Sequence, residues 1–477
     1  MKTIIPLTTF ALLIGGVGAA DETSFPRILD PGIPGTPALG QPFLVKGDAK
    51  PVLTEKHGLA APALSDWNGD GKRDLLVGEF ETNSGEDFPM GAHGSTIRVY
   101  LNVGTDSDPE FTDEFEWARD TEGTIMEVPQ WCCIGFTPQF YDLDDDGHLD
   151  IITGQYHPGE VTWFRGTEDG FLPGVKLPQE GDPAADGNPM FGYAGVPGDI
   201  GTFDYWVYSS ASFGDLDDDG DLDLVVGGGA GLRVSENIGG PKQPSFGKRE
   251  PLLDIEGVPL KILERDDEAE LLPGASSAPG DGDGKSSPLV VDWNDDGTPD
   301  LLVTGSYRHP NSQAVTFFEG VRTDAGLRFH KGVDLLPTAN GDKALPGSGQ
   351  RVYVDDWNRD GVRDLIIGAS VATVNGGEFS DELSWEWEDV TKVESAGKDP
   401  GRYPPRERPT RESLLEFLNV DAIIADIGEE GLDELVRDNQ QYWDETVGKL
   451  YEEGKAHWLT MRHQGRVYVM LGEKRGE

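Results

Sequence analysis

Cysteine is almost missing from this chain: there are two in 477 residues, the adjacent Cys132 and Cys133. A framework of long-range disulfides is thereby excluded, because these two can pair only with each other unless chains cross-link. A strained vicinal disulfide and two reduced, buried thiols both stay open. Positive charge is scarce as well. Lys and Arg number 39 against 87 Asp and Glu, for a formal net charge of −48. No basic face can neutralise phosphate, so nucleic acid and anionic membranes are poor partners. Long apolar runs are lacking: the stretch from Ile4 to Ile14 follows Lys2, precedes Gly18, Ala19 and Ala20, and is too short to span a bilayer. Residues 1–20 therefore read as a secretory signal cut after Ala20, with no integral membrane segment. HExxH, GxSxG, P-loop and dinucleotide fingerprints are also missing, and the FGYAGVPG and PGDGDG runs lack the strand-to-helix context of a phosphate cradle.

What is abundant is aspartate, and it is patterned. The stretch DLDDDGDLDLVVG from Asp215 places Asp215, Asp217, Asp219 and Asp223 at positions 1, 3, 5 and 9 of a tight loop. Such oxygen ligands suit a hard cation, calcium foremost; Gly220 at position 6 permits the sharp turn and Asp221 at position 7 offers a backbone carbonyl. An EF-hand would carry an acidic residue at position 12 and enter a helix, whereas here Leu222 to Val226 form an apolar run that reads as a buried strand.

Four further copies begin at Asp66, Asp142, Asp292 and Asp356, so the starts lie 76, 73, 77 and 64 residues apart along the chain. They supply Asp66, Asn68, Asp70, Lys72 and Asp74; Asp142, Asp144, Asp146, His148 and Asp150; Asp292, Asn294, Asp296, Thr298 and Asp300; and Asp356, Asn358, Asp360, Val362 and Asp364. In each, the position-7 residue is expected to act through its backbone carbonyl. Spacing of this length marks a repeat architecture. On these motifs the chain resembles the FG-GAP/VCBS repeat family over about residues 40 to 373 and 463 to 474. The resemblance implies a calcium-binding β-propeller. It implies little about function, since such propellers serve as adhesins, receptor heads, lectins and occasional enzyme scaffolds.

An all-β fold of four-stranded antiparallel blades follows. First strands are predicted at Ala61 to Ser65, Thr137 to Tyr141, Ser210 to Gly214, Ser287 to Val291 and Arg351 to Asp355, with third strands at Thr96, Glu160, Leu232 and Ala314 and fourth strands around Phe111, Phe171, Phe246 and Phe329. The fifth unit is split: its third strand is Gly465 to Gly472, and Gln41 to Leu53 supplies its fourth. This predicts a five-bladed β-propeller, with six or seven blades as the alternative. The domain plan is a signal at 1–20, a linker at 21–40, the propeller at 41–373, a loop and helical insertion at 374–462, and a closing strand at 463–477. Within the insertion, helices are expected after Thr410 and from Leu432 to Gly454.

Chain direction places the acidic loops at one end of the blades and the long, irregular connections at the other. Trp131, Tyr156, His157, Trp206, Tyr307, Arg308 and His309 cluster in those connections, a mixture of aromatic planes and polar groups that suits sugar rings. The functional expectation is a secreted, periplasmic or cell-surface binding or adhesion module for a glycan or an extracellular protein. The alternative is a carbohydrate-active enzyme, a lyase or a hydrolase, on the same face. For a hydrolase, Glu79 with another loop carboxylate is a candidate pair.

Overall fold

The computed structural model describes residues 25–54, 58–80, 93–130, 135–155, 160–178, 210–227, 232–260, 286–304, 315–339, 344–373, Thr410, part of 428–448, and 462–475. It is a ring of five antiparallel sheets, a five-bladed β-propeller. Blade one consists of Ala61–Ser65, Asp74–Gly78, Ile97–Tyr100 and Glu116–Trp117. Blade two consists of Gln139–Tyr141, Asp150–Gly154, Val161–Phe164 and Val175–Lys176, and blade three of Ser210–Gly214, Asp223–Gly227, Arg233–Asn237 and Phe246–Pro251. Ser287–Val291, Asp300–Thr304, Thr316–Phe318 and Val333–Asp334 make blade four. Blade five joins Ser348–Asp355, Asp364–Thr373 and Arg462–Met470 to Phe43–Leu44 from the N-terminal end, and Leu53–Thr54 pairs further along the same strand.

The second strands explain the continuous apolar runs in the sequence. A strand sends successive side chains to opposite faces, and here both faces are covered by neighbouring blades. Leu76 packs with Ile97, Ile151 and Phe164 between blades one and two. Leu75 and Val77 instead join Ile366, Val467 and Val469 between blades five and one. Ile152 and Leu224 meet between blades two and three, Val225 and Leu301 between three and four, and Leu302 and Ile367 between four and five. Five apolar seams thus close the ring. Glycines of three second strands belong to the same packing: a Cβ on Gly78, Gly227 or Gly368 would collide with the backbone of Phe136, Ser286 or Ala60 on the next blade.

First strands line the axis, where polar groups are satisfied across blades. Tyr141 Oη lies 2.8 Å from Ser212 Oγ, which accepts from the Val290 backbone N–H at 2.9 Å, and Tyr353 Oη donates to the Leu64 carbonyl at 3.4 Å. Burial pushes both tyrosine hydroxyls above their ordinary value, so they stay protonated.

Closure of the last blade by the N-terminal segment agrees with the sequence expectation. The described part of the stretch read as a linker is tied down as well: Ile28 is buried with the blade four and five core, and Ala38–Leu39 pairs with Gly472–Glu473. The fourth strands require correction. Phe171 and Phe329 lie in small hairpins, Gly166–Thr167 with Gly170–Phe171 and Gly320–Thr323 with Gly326–Phe329, and the blade's own fourth strand comes later. In both blades the place at the end of strand three that Asn102 and Asn237 occupy in blades one and three holds a glycine, Gly166 or Gly320; its N–H is held by the loop aspartate as in every blade, and from it the chain pairs onward into a second hairpin. Phe111 likewise precedes its strand and fills the seam beside Trp357. In the insertion, described residues between 428 and 448 are helical, with Leu432 fully buried. The helix expected after Thr410, and Cys132 and Cys133, lie outside the described residues.

Candidate functional site

All five acidic loops share one backbone. Position 4 is left-handed in each, with φ of 73° at Gly69, 50° at Asp145, 67° at Asp218, 62° at Asp295 and 60° at Arg359. Position 6 is always a left-handed glycine, with φ between 84° at Gly361 and 93° at Gly147 and Gly220. A non-glycine residue at positive φ is uncommon, and Asp tolerates it better than most. This double turn aims successive backbone N–H groups inward. The position-6 N–H donates to the position-1 carboxylate in every loop, Gly71 to Asp66, Gly147 to Asp142, Gly220 to Asp215, Gly297 to Asp292 and Gly361 to Asp356. The position-7 N–H donates to position 5 in the same way, for example Thr298 to Asp296 and Val362 to Asp360 at 2.8 and 2.9 Å.

Position 9 has a second duty. Both oxygens of Asp74, Asp150, Asp223, Asp300 and Asp364 accept backbone N–H groups, one from loop position 2 and one from a residue at the end of strand three. These five carboxylates are buried. Burial outweighs the N–H groups and raises Asp150, Asp300 and Asp364 to about 6 and Asp223 to about 7. Asp74 moves in the same direction.

Ligand atoms converge most clearly in the second and third loops, where oxygens of Asp142, Asp144 and Asp146, and of Asp215, Asp217 and Asp219, lie within 4.8 Å of one another. In the third loop the Asp221 side chain is buried near these three aspartates. Its carboxyl is pushed up to about 6 by burial and by Asp219, Asp217 and Asp215. Asp144 Oδ1 and Asp221 Oδ1 are buried without a hydrogen-bond partner, on residues only 5% exposed. Buried oxygens of that kind are costly unless something cationic meets them. The donor set, all carboxylate, amide and carbonyl oxygen, fits calcium. Lys72 was expected to contribute only its carbonyl, but its Nζ donates to the Asn102 carbonyl at 2.5 Å and lies 3.2 Å from Asp70.

Neighbouring blades grip these loops. Lys242 reaches Asp145, Arg322 pairs with Asp218 and donates to the Asp215 and Leu216 carbonyls, Arg363 pairs with Asp295, and Arg359 pairs with Asp106. In four of the five loops the left-handed position-4 residue is thus an ion-pair partner across a blade seam.

Trp131, Tyr156, His157, Trp206, Tyr307, Arg308 and His309, the residues read as ligand-binding, lie outside the described residues. Glu79, the hydrolase candidate of blade one, is buried, with Oε2 accepting from Arg98 Nε at 2.7 Å. Arg98 also sits 4.3 Å from the Phe115 ring and 5.4 Å from the Trp117 ring. Glu79 is therefore built into the packing of the blade. A cleft that sequence reasoning missed lies at the rim of blade one, about 450 Å³ in volume and lined by Trp67, Phe115, Glu116, Trp117 and Arg119. Its signal was faint, because Trp67 belongs to an acidic loop and the other residues to a fourth strand placed too early.

No protein-family model matches the chain, and no curated protein matches it. Among solved structures, a lectin from Agrocybe aegerita described as recognising non-reducing terminal N-acetylglucosamine is 18% identical over 67% of this chain, with a TM-score of 0.33. The match spans 64% of the lectin's length. A GH43_1 enzyme from Xanthomonas citri, complexed with xylose, is 14% identical over 67% of this chain and 84% of its own, also with a TM-score of 0.33. Both likenesses are too distant to assign a ligand or a reaction to this chain.

Proposed function

We propose that this chain is an exported, calcium-loaded propeller of the FG-GAP/VCBS type that acts as a binding or adhesion module, with carbohydrate as the preferred ligand and an extracellular protein as the other. The observation that carries the calcium part is one loop geometry repeated five times, with the buried Oδ1 atoms of Asp144 and Asp221 left without partners. Bound calcium would supply the charge that these oxygens need and would hold each loop against its neighbour. Asp215, Asp217 and Asp219 would hold such an ion in the third loop, with the buried Asp221 carboxyl close by, and Asp142, Asp144 and Asp146 would hold it in the second.

Support for carbohydrate comes from the rim cleft. Trp67, Phe115 and Trp117 offer apolar surface to the C–H face of a sugar ring, while Glu116 and Arg119 offer polar groups to its hydroxyls. Tyr156, His157, Tyr307, Arg308 and His309 remain the candidates expected from the sequence, in connections of the kind that commonly carry function on a rigid scaffold. A glycan array probed with and without calcium tests the reading. A Trp117→Ala, Arg119→Ala double variant that loses the retained glycans assigns them to the cleft, and loss in Tyr307→Ala, Arg308→Ala assigns them to the far face. If the wild-type protein retains no glycan, the carbohydrate reading falls. Fewer than three ions per chain by metal analysis, with a melting temperature indifferent to chelation, would remove the calcium reading.

A further inference from the structure

Each third strand ends beside its own acidic loop, and the end is marked by the residue whose backbone N–H is held by Oδ1 of position 9: Asn102, Gly166, Asn237, Gly320 and Gly472. The residue just before it therefore occupies one equivalent place in all five blades. That residue is Leu101, Arg165, Glu236, Glu319 and Leu471 in turn. In two blades its side chain reaches the loop. Arg165 Nε lies 2.6 Å from Asp144 Oδ2 and its Nη2 3.0 Å from Asp146 Oδ2, so one guanidinium bridges positions 3 and 5. Glu319 Oε1 accepts from Nδ2 of Asn294, position 3 of the fourth loop, at 3.4 Å. The same place thus presents a cation in one blade and an oxygen donor in another.

We propose that this strand-end residue sets how tightly each loop takes calcium: Arg165 is a resident competitor in the second loop, and Glu319 adds a carboxylate to the fourth. The proposal rests on the calcium reading given above. To hold a metal ion, the second loop needs Asp144 and Asp146, and Arg165 must release both. Its side chain is 44% exposed and can swing into solvent. The guanidinium does not complete the loop, because Asp144 Oδ1 stays buried and without a partner beside it. Arg165 therefore weakens the site without replacing it. Oxygen-ligand cation sites are tuned over orders of magnitude by the number of charged ligands, and here that number changes through one residue outside the motif. The third loop, with Asp at positions 1, 3, 5, 7 and 9 and Glu236 at the strand end, should bind first; the fourth should bind more tightly than the second.

Calcium titrated calorimetrically into the chelator-stripped full-length protein tests this, with melting temperature as a second readout. Arg165→Met should tighten one class of sites by about tenfold or more, and Glu319→Gln should weaken one class comparably. Wild-type isotherms for both variants, in a protein that does bind calcium, would overturn the role of the strand-end residue and leave the calcium reading standing. No calcium heat and no stabilisation in the wild type would overturn both. Should Arg165→Met fail to fold, Glu319→Gln still decides the matter, since it keeps the side chain's size and removes only its charge.

Discussion

Arg73 Nη1 lies 2.7 Å from Asp355 Oδ1, joining the first acidic loop of the ring to the strand that enters the last, 282 residues away. The same guanidinium donates to the Trp357 carbonyl at 3.2 Å, and its Nε donates to Asp106 at 2.9 Å. Asp106 is shared with Arg359 of blade five. These charges sit over the apolar seam that closes the ring.

Replacing Arg73 by Met should cost about 2 kcal/mol in urea unfolding, because several charge-assisted hydrogen bonds in a partly buried place are lost together. The effect should depend on acidity. Burial raises the Asp106 carboxyl, but the hydrogen bonds from Arg73 and Arg359 outweigh it and hold that group far below the usual carboxylate range. A depressed folded-state pKa gives stability that is present above the unfolded value and lost as pH falls through the folded one. The melting-temperature gap between wild type and variant should persist at pH 5 and narrow only under strongly acid conditions.

The buried position-9 aspartates have the opposite sign. Folded values near 6 for Asp150, Asp300 and Asp364 and near 7 for Asp223 lie above the unfolded one, so in the chelated protein their contribution is fully present below about pH 4 and lost as pH rises through 6 to 7. Scanning calorimetry with chelator should show the melting temperature rising as pH is lowered from 8 to 5. Saturating calcium should abolish or reverse that slope, since a bound cation favours the ionised form.

Deletion of residues 21–53 should expose the edge of Arg462–Met470 and the seam built on Val45, Val52 and Trp357. Aggregation or loss of cooperative melting is expected. Light scattering and calorimetry check this, and a monomeric, normally melting truncation would count against the closure.

Glu79→Gln should destabilise the chain by about 3 kcal/mol, the usual scale for leaving a buried charge such as Arg98 without its carboxylate. Urea unfolding measures it. A variant as stable as the wild type would show that the pair contributes little to the blade.

Much of this architecture is legible in the sequence. The DxDxDG copies announced the loops, the apolar runs after them announced the second strands, and the match of Gln41 to Leu53 with other fourth strands announced the closure, because each depends on local turn chemistry and a regular period. Placement of the fourth strands was not readable: Phe171 pairs back on Gly166 in a hairpin, and the strand that pairs with Val161–Phe164 is the later Val175–Lys176. Nor could position-7 numbering show that the Asp221 carboxyl is buried near the other aspartates of its loop while Lys72 reaches Asn102. Seen along the chain, Arg165 is a charge after a strand, and Glu79 is a carboxylate ahead of a loop. Folding places the first against Asp144 and Asp146 and the second against Arg98. By itself, then, the sequence determined the repeat, the turns and the ligand types, all of them short-range properties. Which charges meet, which oxygens are stripped of water and which loops are braced by a neighbouring blade was decided only by the closed ring, where residues distant in sequence share one low-dielectric seam.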